Sequence, residues 1–411
     1  MIAFHVPPQR GSSGIQRTLK FTQHLPALGW QPLLLSAHPR AYEERTNDQL
    51  GDIAPSMVVR RAFALDSARH LAIGGRYASW TALPDRWISW WFGAVPAGLA
   101  MVRRHRPAVL WSTYPIVTAH LIGMTLQRLT GLPWVADMRD PMMDDDYPAG
   151  RLKRWLWRWI ERQTVQRCTR AVCTTPGALA LYRARFPLLP ADRFCLIENG
   201  YDEEDFADAE LLEGAVRASG GPFVLLHSGI IYPSERDPRP LFGALGALRA
   251  LGALAPVNFQ LRLRAPVHEE YLRALAQEHG ISDLVQIAPA LPYRAALAEM
   301  LAADGLLLLQ ASNCNQQIPA KLYEYLRARR PILALTDPLG DTAGVLRTAG
   351  IDTVAALDAQ PAIMAALQRF LALSHEQRAP LASAQTIAAN SRQARSTQLA
   401  TLLDGLQCTA P

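Results

Sequence analysis

Short apolar segments alternate with amphipathic segments along this chain, in two separate runs. The first run contains IAFHV, PLLLSA, AVLWST, WVADM and AVCTT, and the second contains FVLLHSG, FQLRLRA, LVQIAP, GLLLLQ and PILALT. Helical segments, such as residues 15–28, lie between them. This alternation is typical of parallel sheets that helices cover on both faces. The sequence therefore predicts an α/β protein with two Rossmann-like, doubly wound domains that face each other across a cleft.

The two runs are separated near residues 205–221, where strand character is lost and the segment ends in Ser-Gly-Gly. A chain of 411 residues exceeds the size at which one hydrophobic core stops growing. Hydrophobic residues make up 49% of it, which supplies apolar material for two cores. We expect a first domain over residues 1–210, a second over 211–385, and a C-terminal helix over 386–411 that can cross back to the first domain.

The segment CNQQIPAKLYEYLRARRPILALTDPLGDTA, residues 314–343, is the most informative about a ligand. Pro319 suits the first turn of a helix, so Lys321 and Glu324 lie near the helix N-terminus. A helix start offers N–H groups and a positive dipole to a phosphate, and a nearby carboxylate can accept hydrogen bonds from ribose hydroxyls. The pattern predicts a site for a nucleotide diphosphate. The solvated face of an ordinary helix is the alternative.

A glycine-containing loop follows the first predicted strand and consists of Gly11, Ser12, Ser13 and Gly14. Its glycines permit a tight turn and a close backbone approach, and the helix that follows adds its N-terminus. A pyrophosphate can rest on such a loop. The spacing matches neither the dinucleotide fingerprint nor the P-loop, so a simple turn is the alternative.

Gly229 ends the first strand of the second run, and Arg236 and Arg239 follow a few residues later. Cations at this end of a sheet can neutralise the charge that develops when a nucleoside diphosphate departs. We select Arg236, together with Lys321, as ligands of the diphosphate on the family resemblance described below. A merely solvated arginine is the alternative.

Three charged residues, Asp137, Arg139 and Asp140, follow the strand LPWVA and are expected to point into the cleft. The alternative is that one carboxylate caps the next turn and Arg139 pairs with one of them. The triplet 144–146 is acidic throughout, and carboxylates suit hard metal ions. We nevertheless expect no metal site, for the reason that the family resemblance provides below.

PAKLYEYL, followed by a basic pair and PILAL, resembles the donor-nucleotide helix of GT-B glycosyltransferases, and more narrowly of the family-four-like (group one) bacterial enzymes. Four further stretches resemble the same family in the right order: FHVPPQRGSSGIQRTLKFTQHLPALGWQPLLL, LPWVADMRDPMMDDDYP, CLIENGYDEEDF and FVLLHSGIIYPSERDPRPL. Many members carry two glutamates eight positions apart, the second of which holds the ribose. Glu324 matches the second, while Gln316 stands in place of the first and cannot act as a base.

The resemblance implies GT-B architecture and a glycosyltransferase that moves a hexose or related sugar from a nucleotide diphosphate sugar to a glycan or lipid-linked acceptor. It implies retention of configuration, no metal or other cofactor, and a role in bacterial surface polysaccharide assembly. An acidic metal motif belongs to GT-A enzymes, which have a single nucleotide domain. The donor would be bound by residues of the three segments above: Gly11, Ser12, Ser13, Gly14, Gly229, Arg236, Gln316, Lys321 and Glu324.

On the acceptor side, the resemblance implies that Asp140 orients or deprotonates the acceptor hydroxyl, with Arg139 beside it. Two alternatives remain open. One is a GT-B-like sugar-nucleotide epimerase, which needs no acceptor. The other is a scaffold subunit that binds a nucleotide sugar without catalysis, which the glutamine at position 316 favours.

The segment RLKRWLWRWIERQTVQR, residues 151–167, places four arginines along one helical face: Arg151, Arg154, Arg158 and Arg162. With a net charge of +6, this face can make peripheral contact with an anionic membrane. A solvated face above a packed one is the alternative. No nucleic-acid-binding motif accompanies the charge, so we expect no nucleic acid partner.

Five cysteines, odd in number and without a CxxC pair, favour a reducing compartment. The N-terminus lacks the pattern of a signal peptide, so we expect a cytoplasmic protein. Two uncharged stretches, 87–102 and 107–127, must be distinguished from membrane-spanning helices by their length and composition. The first is short and contains Pro96, and we predict that the second is a strand, a turn and a helix.

Overall fold

The computed structural model describes residues 1–10, 14–144, 147–213 and 220–407. The chain divides into two compact units. Unit 1 comprises Met1–Asn199 together with the C-terminal helix, and unit 2 comprises Gly200–Ser391.

The strands among the described residues are β1 Leu33–Ala37, β2 Val58–Ala62, β3 Leu110–Thr113, β4 Trp134–Arg139, β5 Arg170–Cys173, β6 Phe194–Leu196, β7 Phe223–Ser228, β8 Phe259–Arg264, β9 Val285–Ala288, β10 Gly305–Leu309, β11 Ile332–Leu335 and β12 Val354–Ala355. The helices are α1 Gly14–His24, α2 Ser67–His70, α3 Ser89–His105, α4 Val117–Thr130, α5 Arg151–Arg167, α6 Pro176–Arg185, α7 Glu203–Glu213, α8 Arg239–Ala250, α9 Glu269–Glu278, α10 Tyr293–Ala302, α11 Lys321–Ala328, α12 Asp341–Thr348, α13 Gln360–His375, α14 Ala384–Ala389 and α15 Arg392–Gln407.

The sheet of unit 1 is parallel throughout. β1 pairs with β2, and β3, β4, β5 and β6 follow one another in order. The predicted first strand IAFHV is reduced to a bridge, in which Ile2 pairs with Leu35 of β1 and Ser112 of β3. The N-terminal segment therefore joins the two parts of the sheet.

The sheet of unit 2 is also parallel, in the order β12-β11-β10-β7-β8-β9. Its central strands β10 and β11 are buried at every position. Continuous apolar runs such as GLLLL form strands of this kind, because helices cover both faces of the sheet. The prediction of a two-domain, Rossmann-like α/β protein is confirmed.

Each sheet has a core on both faces. In unit 1, Trp90, Ile122 and Trp134 belong to one core, while α1 and α15 pack together on the other face. In unit 2, Leu245 and Leu367 lie on one side of the sheet, and the opposite side carries α10 and α11. Helices cover the faces of each sheet, and loops lie at the carboxyl ends of the strands, as in other doubly wound sheets.

The unit boundary lies between residues 199 and 200, about ten residues before the boundary we expected at 210. The reason is α7, which has no strand character but packs against α10. Arg327 of α11 forms ion pairs with Glu203 and Glu210 of α7, and Arg294 of α10 pairs with Asp208 at 3.0 Å. These contacts tie α7 to unit 2, and the chain re-enters unit 1 at Arg392 rather than at 386.

Both uncharged stretches are accounted for by ordinary elements. Residues 107–127 contain β3, a turn at Tyr114 and Pro115, and most of α4, as we predicted. Much of 87–102 lies in α3. Within the described ranges, no helix combines the length and apolarity that a membrane crossing requires.

Candidate functional site

Three loops at the carboxyl edge of the sheet of unit 2 are held together by side-chain amides and backbone groups. They follow β7, β10 and β11, which are neighbours in the sheet. The buried amide of Gln310 donates to the carbonyl oxygens of Cys314 and Gln317 at 2.8 and 2.9 Å. Asn315 Nδ2 donates to Asp337 Oδ2 at 2.6 Å. The segment that leads into α11 is therefore firmly positioned.

Lys321 is the first residue of α11, two residues later than a helix that begins at Pro319. Its Nζ lies 3.3 Å from Nε2 of His227 at the end of β7. His227 Nδ1 lies 2.9 Å from the carbonyl oxygen of Leu307, to which only a protonated nitrogen can donate. Nε2 therefore carries the lone pair and accepts from the ammonium group of Lys321.

The backbone conformation at position 229 and the space around it require a glycine. Its φ of +113° is a conformation that L side chains rarely adopt, and a Cβ there would lie 3.0 Å from Lys321 Nζ. The backbone at the end of β7 and the lysine head group are thus in close approach. The sequence placed both residues in one donor site, and the structure does bring them together.

Arg236 is the second cation at this edge. Its Nη1 donates to the carbonyl oxygen of Ile230 at 2.6 Å, and its guanidinium lies over the ring of Tyr232 at 5.5 Å. Burial, assisted by the positive charge of Arg236, lowers the pKa of Lys321 to about 7, while Glu324 opposes the shift. Two cations, one of them a buried lysine, make this edge a place where an anion would be stabilised.

Glu324 lies one turn into α11 and is held from another helix. Tyr293 Oη, at the start of α10, donates to Glu324 Oε1 at 2.8 Å. On the next residue, Tyr325 Oη accepts a hydrogen bond from the backbone N–H of Ser228 at 3.1 Å. Gln316 lies on the exposed turn before α11. The carboxylate is therefore oriented, whereas the glutamine stands at the solvent-facing side of its loop.

His227 and Tyr293 were not among the residues predicted for this site. The only signal for His227 was its place next to Ser-Gly at a strand end, and nothing local distinguished Tyr293 from other residues at a helix start. Their roles depend on partners 94 and 31 residues away.

At the carboxyl edge of the sheet of unit 1, Arg139 ends β4 and Asp140 follows it. Arg139 has a φ of 56°, which is unusual for a residue with a side chain, and its Nη1 donates to the carbonyl oxygen of Tyr114 at 3.2 Å. Its Nε is buried without a hydrogen-bond partner among the described residues. Burial lowers the pKa of His5 to about 3, and the nearby charge of Arg139 contributes. Strain and an unsatisfied donor at a strand end mark a candidate site.

Asp140 is partly exposed to solvent and accepts no hydrogen bond from any described residue. Burial of its carboxyl raises the pKa, although Arg139 and Arg17 act in the opposite direction. A carboxylate with a raised pKa and a vacant acceptor can take a proton or a hydrogen bond from a bound hydroxyl.

The prediction that Asp137 points into a cleft was wrong. Asp137 is fully buried, and its Oδ2 and Oδ1 accept from Nε and Nη2 of Arg17 at 2.9 and 2.7 Å. Thr113 Oγ1 donates to Asp137 Oδ2 at 2.7 Å. Side chains alternate along a strand, so Asp137 faces α1 and its role is structural.

The remaining candidates lie partly outside the described residues. Gly11, Ser12 and Ser13 are not described, and Gly14 is the buried first residue of α1. Of the acidic triplet, only Asp144 is described, and its Oδ1 accepts from the backbone N–H of Tyr147 at 2.6 Å. Within the described ranges, no three His, Cys, Asp or Glu side chains gather closely enough to hold a metal ion.

The fold is shared with several solved proteins. Sucrose-phosphate synthase from Thermosynechococcus elongatus is 16% identical, with a TM-score of 0.66 and 99% of each chain covered. HepE of Anabaena, solved in complex with UDP, is 13% identical, with a TM-score of 0.66 and coverage of 97% of this chain and 98% of that one. WaaG, a glycosyltransferase involved in lipopolysaccharide biosynthesis, is 16% identical, with a TM-score of 0.60 and coverage of 98% and 100%. These similarities define the GT-B fold.

Residues 13–200 match the family model of the glycosyl transferase 4-like domain, a range close to the continuous part of unit 1. A comparison with curated protein sequences finds no match. The solved structures show that the chain has the GT-B fold, and the domain match shows that residues 13–200 of it form a glycosyltransferase domain. Its N-terminal unit is a glycosyltransferase 4-like domain, so the resemblance predicted from the sequence is confirmed.

Proposed function

We propose that this chain transfers a sugar from a nucleotide diphosphate sugar to a hydroxyl group of a glycan or lipid-linked acceptor. The placement of Lys321 beside Gly229, with the charge of Arg236 nearby, carries the proposal, because two cations and an open backbone turn are what a diphosphate requires. HepE, which shares this fold and was solved in complex with UDP, supports a nucleotide ligand. Bacterial surface polysaccharide assembly in the cytoplasm is the setting that we propose.

Donor binding is assigned to unit 2. Lys321 and Arg236 would stabilise the negative charge of the departing nucleoside diphosphate, a task for which other glycosyltransferases use a metal ion. We therefore propose that the reaction is metal-independent. Glu324 would accept hydrogen bonds from the ribose hydroxyls, and Gln316 would donate to a sugar hydroxyl of the donor.

Acceptor activation is assigned to unit 1. Asp140 would orient or deprotonate the acceptor hydroxyl, since its raised pKa brings it closer to the range of a useful base. Arg139 would hold the acceptor near it with the buried donor that has no partner among the described residues. We propose retention of anomeric configuration, which NMR of the first-formed product would test.

Removing the guanidinium of Arg236 is expected to weaken UDP or GDP binding by a factor of roughly 10 to 100, since a charge-assisted hydrogen bond contributes about 1.5–3 kcal/mol. Calorimetric titration without added metal measures this. The matched control is Arg239→Ala. Arg239 lies three residues further on but is exposed and paired with Asp237 at 2.5 Å, so its loss should leave the affinity unchanged.

No saturable binding of either nucleotide by folded protein, with manganese also tested, would argue against the donor site. Equal losses in the Arg236 and Arg239 variants would show that general surface charge, and not this site, attracts the nucleotide.

Nucleotide binding should depend on pH in a direction that Lys321 determines. The pKa of Lys321 is about 7 in the unliganded protein, and a bound diphosphate would raise it. Above that pKa, binding must take up a proton, so the affinity should fall up to tenfold per unit between about pH 7 and pH 9. Calorimetry in buffers of different ionisation enthalpy would detect the proton.

Lys321→Arg is the matched variant for this experiment, because a guanidinium stays charged throughout the range. Its affinity should be flat with pH. A wild-type affinity that is already flat, or a slope that persists in Lys321→Arg, would contradict the assignment of the proton to Lys321.

A further inference from the structure

The outward face of α5 carries large apolar side chains. Trp157 and Ile160 are buried against unit 1, but Leu152 and Trp155 are each 62% exposed and Trp159 is 41% exposed. Leu152, Trp155 and Trp159 are spaced by three and four residues, so they form one row along the helix. A contiguous exposed apolar row marks an interaction surface.

A row of arginines runs beside the apolar row. Arg151, Arg158 and Arg162 are exposed, and they form no ion pair with any carboxylate in the described part of the chain. Other arginines nearby are engaged, since Arg185 pairs with Glu161 at 2.6 Å. The helix thus presents unneutralised positive charge next to tryptophan and leucine.

The loop after α6 extends this surface. Leu188, in the segment 186–189, is 96% exposed. This loop and α5 line one groove, into which Arg154, Arg158, Arg162 and Arg185 face. Arg154 also donates to the carbonyl oxygen of Asp144 at 2.9 Å, which orders one wall of the groove. Asp144 and Glu161 also line the groove, but the four arginines outnumber them, so the groove is net cationic within and apolar at its edge.

We propose that this surface, which we call the α5 face, docks on an anionic lipid bilayer. It comprises Leu152, Trp155, Trp159 and Leu188 with Arg151, Arg158 and Arg162. Tryptophan and leucine enter the interfacial region of a bilayer, and the guanidinium groups bind the phosphates of the headgroups. The inference adds a membrane partner to the proposed glycosyltransferase but does not depend on its donor site.

The chemistry of the face distinguishes a bilayer from other occupants. A second copy of the chain would bring like-charged arginine rows together, which costs free energy. A nucleic acid would use the arginines but leave the leucines in water. An anionic bilayer satisfies both rows at once, because its acyl boundary accepts the apolar row and its headgroup phosphates accept the arginine row.

The test is co-sedimentation of the full chain with vesicles of phosphatidylcholine alone and of phosphatidylcholine mixed with phosphatidylglycerol. We expect binding to the mixed vesicles, at least tenfold weaker binding to the neutral ones, and weakening by added salt. Trp155→Ser with Trp159→Ser, and separately Arg158→Glu with Arg162→Glu, should each reduce binding to mixed vesicles at least tenfold.

The matched control is Arg103→Glu with Arg104→Glu. These arginines are exposed near the end of α3, so the pair makes the same change in net charge away from the α5 face. It should bind vesicles like the wild type. Circular dichroism of every variant shows whether it is folded, and UDP titration separates failure of the donor site in unit 2 from failure of this inference.

Several outcomes would overturn the proposal. One is no binding to mixed vesicles, and another is an equal loss in the control pair. Release by soluble glycerol phosphate would assign the groove to a soluble phosphate ester. A change of oligomeric state in the tryptophan variant, measured by light scattering, would assign the face to a second copy of the chain.

Discussion

Replacing Glu324 with alanine is expected to weaken UDP or GDP binding by a factor of roughly 10² to 10³ and to abolish sugar transfer. Hydrogen bonds to a charged acceptor contribute about 1.5–3 kcal/mol each, and a ribose offers two vicinal hydroxyls. The carboxylate is already oriented by Tyr293, so little is lost in ordering it when the nucleotide binds. Calorimetry and a donor-consumption assay measure the two effects.

Removal of the ribose 2′-hydroxyl provides the sharper form of this test. Wild-type protein should prefer UDP to its 2′-deoxy analogue, and Glu324→Ala should bind both equally, because the partner of the missing hydroxyl is gone. Glu324→Gln keeps an acceptor but loses the charge, so it should lie between. Tyr293→Phe removes only the phenol that holds the carboxylate and should cost about 1 kcal/mol.

If wild type and Glu324→Ala show the same ratio of affinities for UDP and 2′-deoxy-UDP, Glu324 does not bind the ribose. A further outcome concerns the non-catalytic alternative. If nucleotide binding depends on Glu324 but wild-type protein neither consumes donor nor glycosylates any acceptor, the chain is better explained as a nucleotide-sugar-binding scaffold.

Much of the fold follows from local pattern. The apolar runs GLLLL and ILAL have enough length and hydrophobicity to predict β10 and β11, and their buried, parallel pairing is the expected consequence. The edge strands β2 and β12 were missed. VVRRA mixes exposed and buried positions, and β12 is two residues long, so neither carries a clear periodic signal.

The residues of the proposed donor site were predictable where they mark a turn or a helix start. Gly229 and Lys321 were found in this way, and they lie together in the structure. His227 was not found, because its role rests on its tautomer. That tautomer follows from the carbonyl oxygen of Leu307 on a neighbouring strand, which no local pattern reveals.

The same limitation explains the error at Asp137. A carboxylate near a strand end is compatible with catalysis, with capping or with a buried ion pair. The choice was decided by Arg17, which lies 120 residues away on α1. Register within the sheet then turned Asp137 inward, while Arg139 and Asp140 follow a β-bulge that redirects the chain.

Asp137→Asn is expected to destabilise unit 1 by about 3–5 kcal/mol, because it leaves the guanidinium of Arg17 buried without its counter-charge. Arg17 Nη1 and Nη2 also donate to the carbonyl oxygens of Glu198 and Ile197, both at 3.0 Å, so the guanidinium cannot swing out without breaking further hydrogen bonds. For a unit of this size, the midpoint of thermal unfolding should fall by about 10 °C. Circular dichroism measures the midpoint.

Two variants separate the ion pair from general sensitivity of this region. Thr113→Val removes only the hydroxyl that donates to Asp137 and should cost about 1 kcal/mol. Arg17→Met combined with Asp137→Asn should be less destabilised than the sum of the single changes, since neither charge is then left alone. UDP binding at low temperature should survive in Asp137→Asn, because the proposed donor residues lie in unit 2. Two results would mean that the Arg17–Asp137 pair does not hold α1 against β4. One is a loss of unfolding free energy in Arg17→Met or Asp137→Asn that is smaller than in Thr113→Val. The other is a double variant whose loss equals the sum of the two single losses.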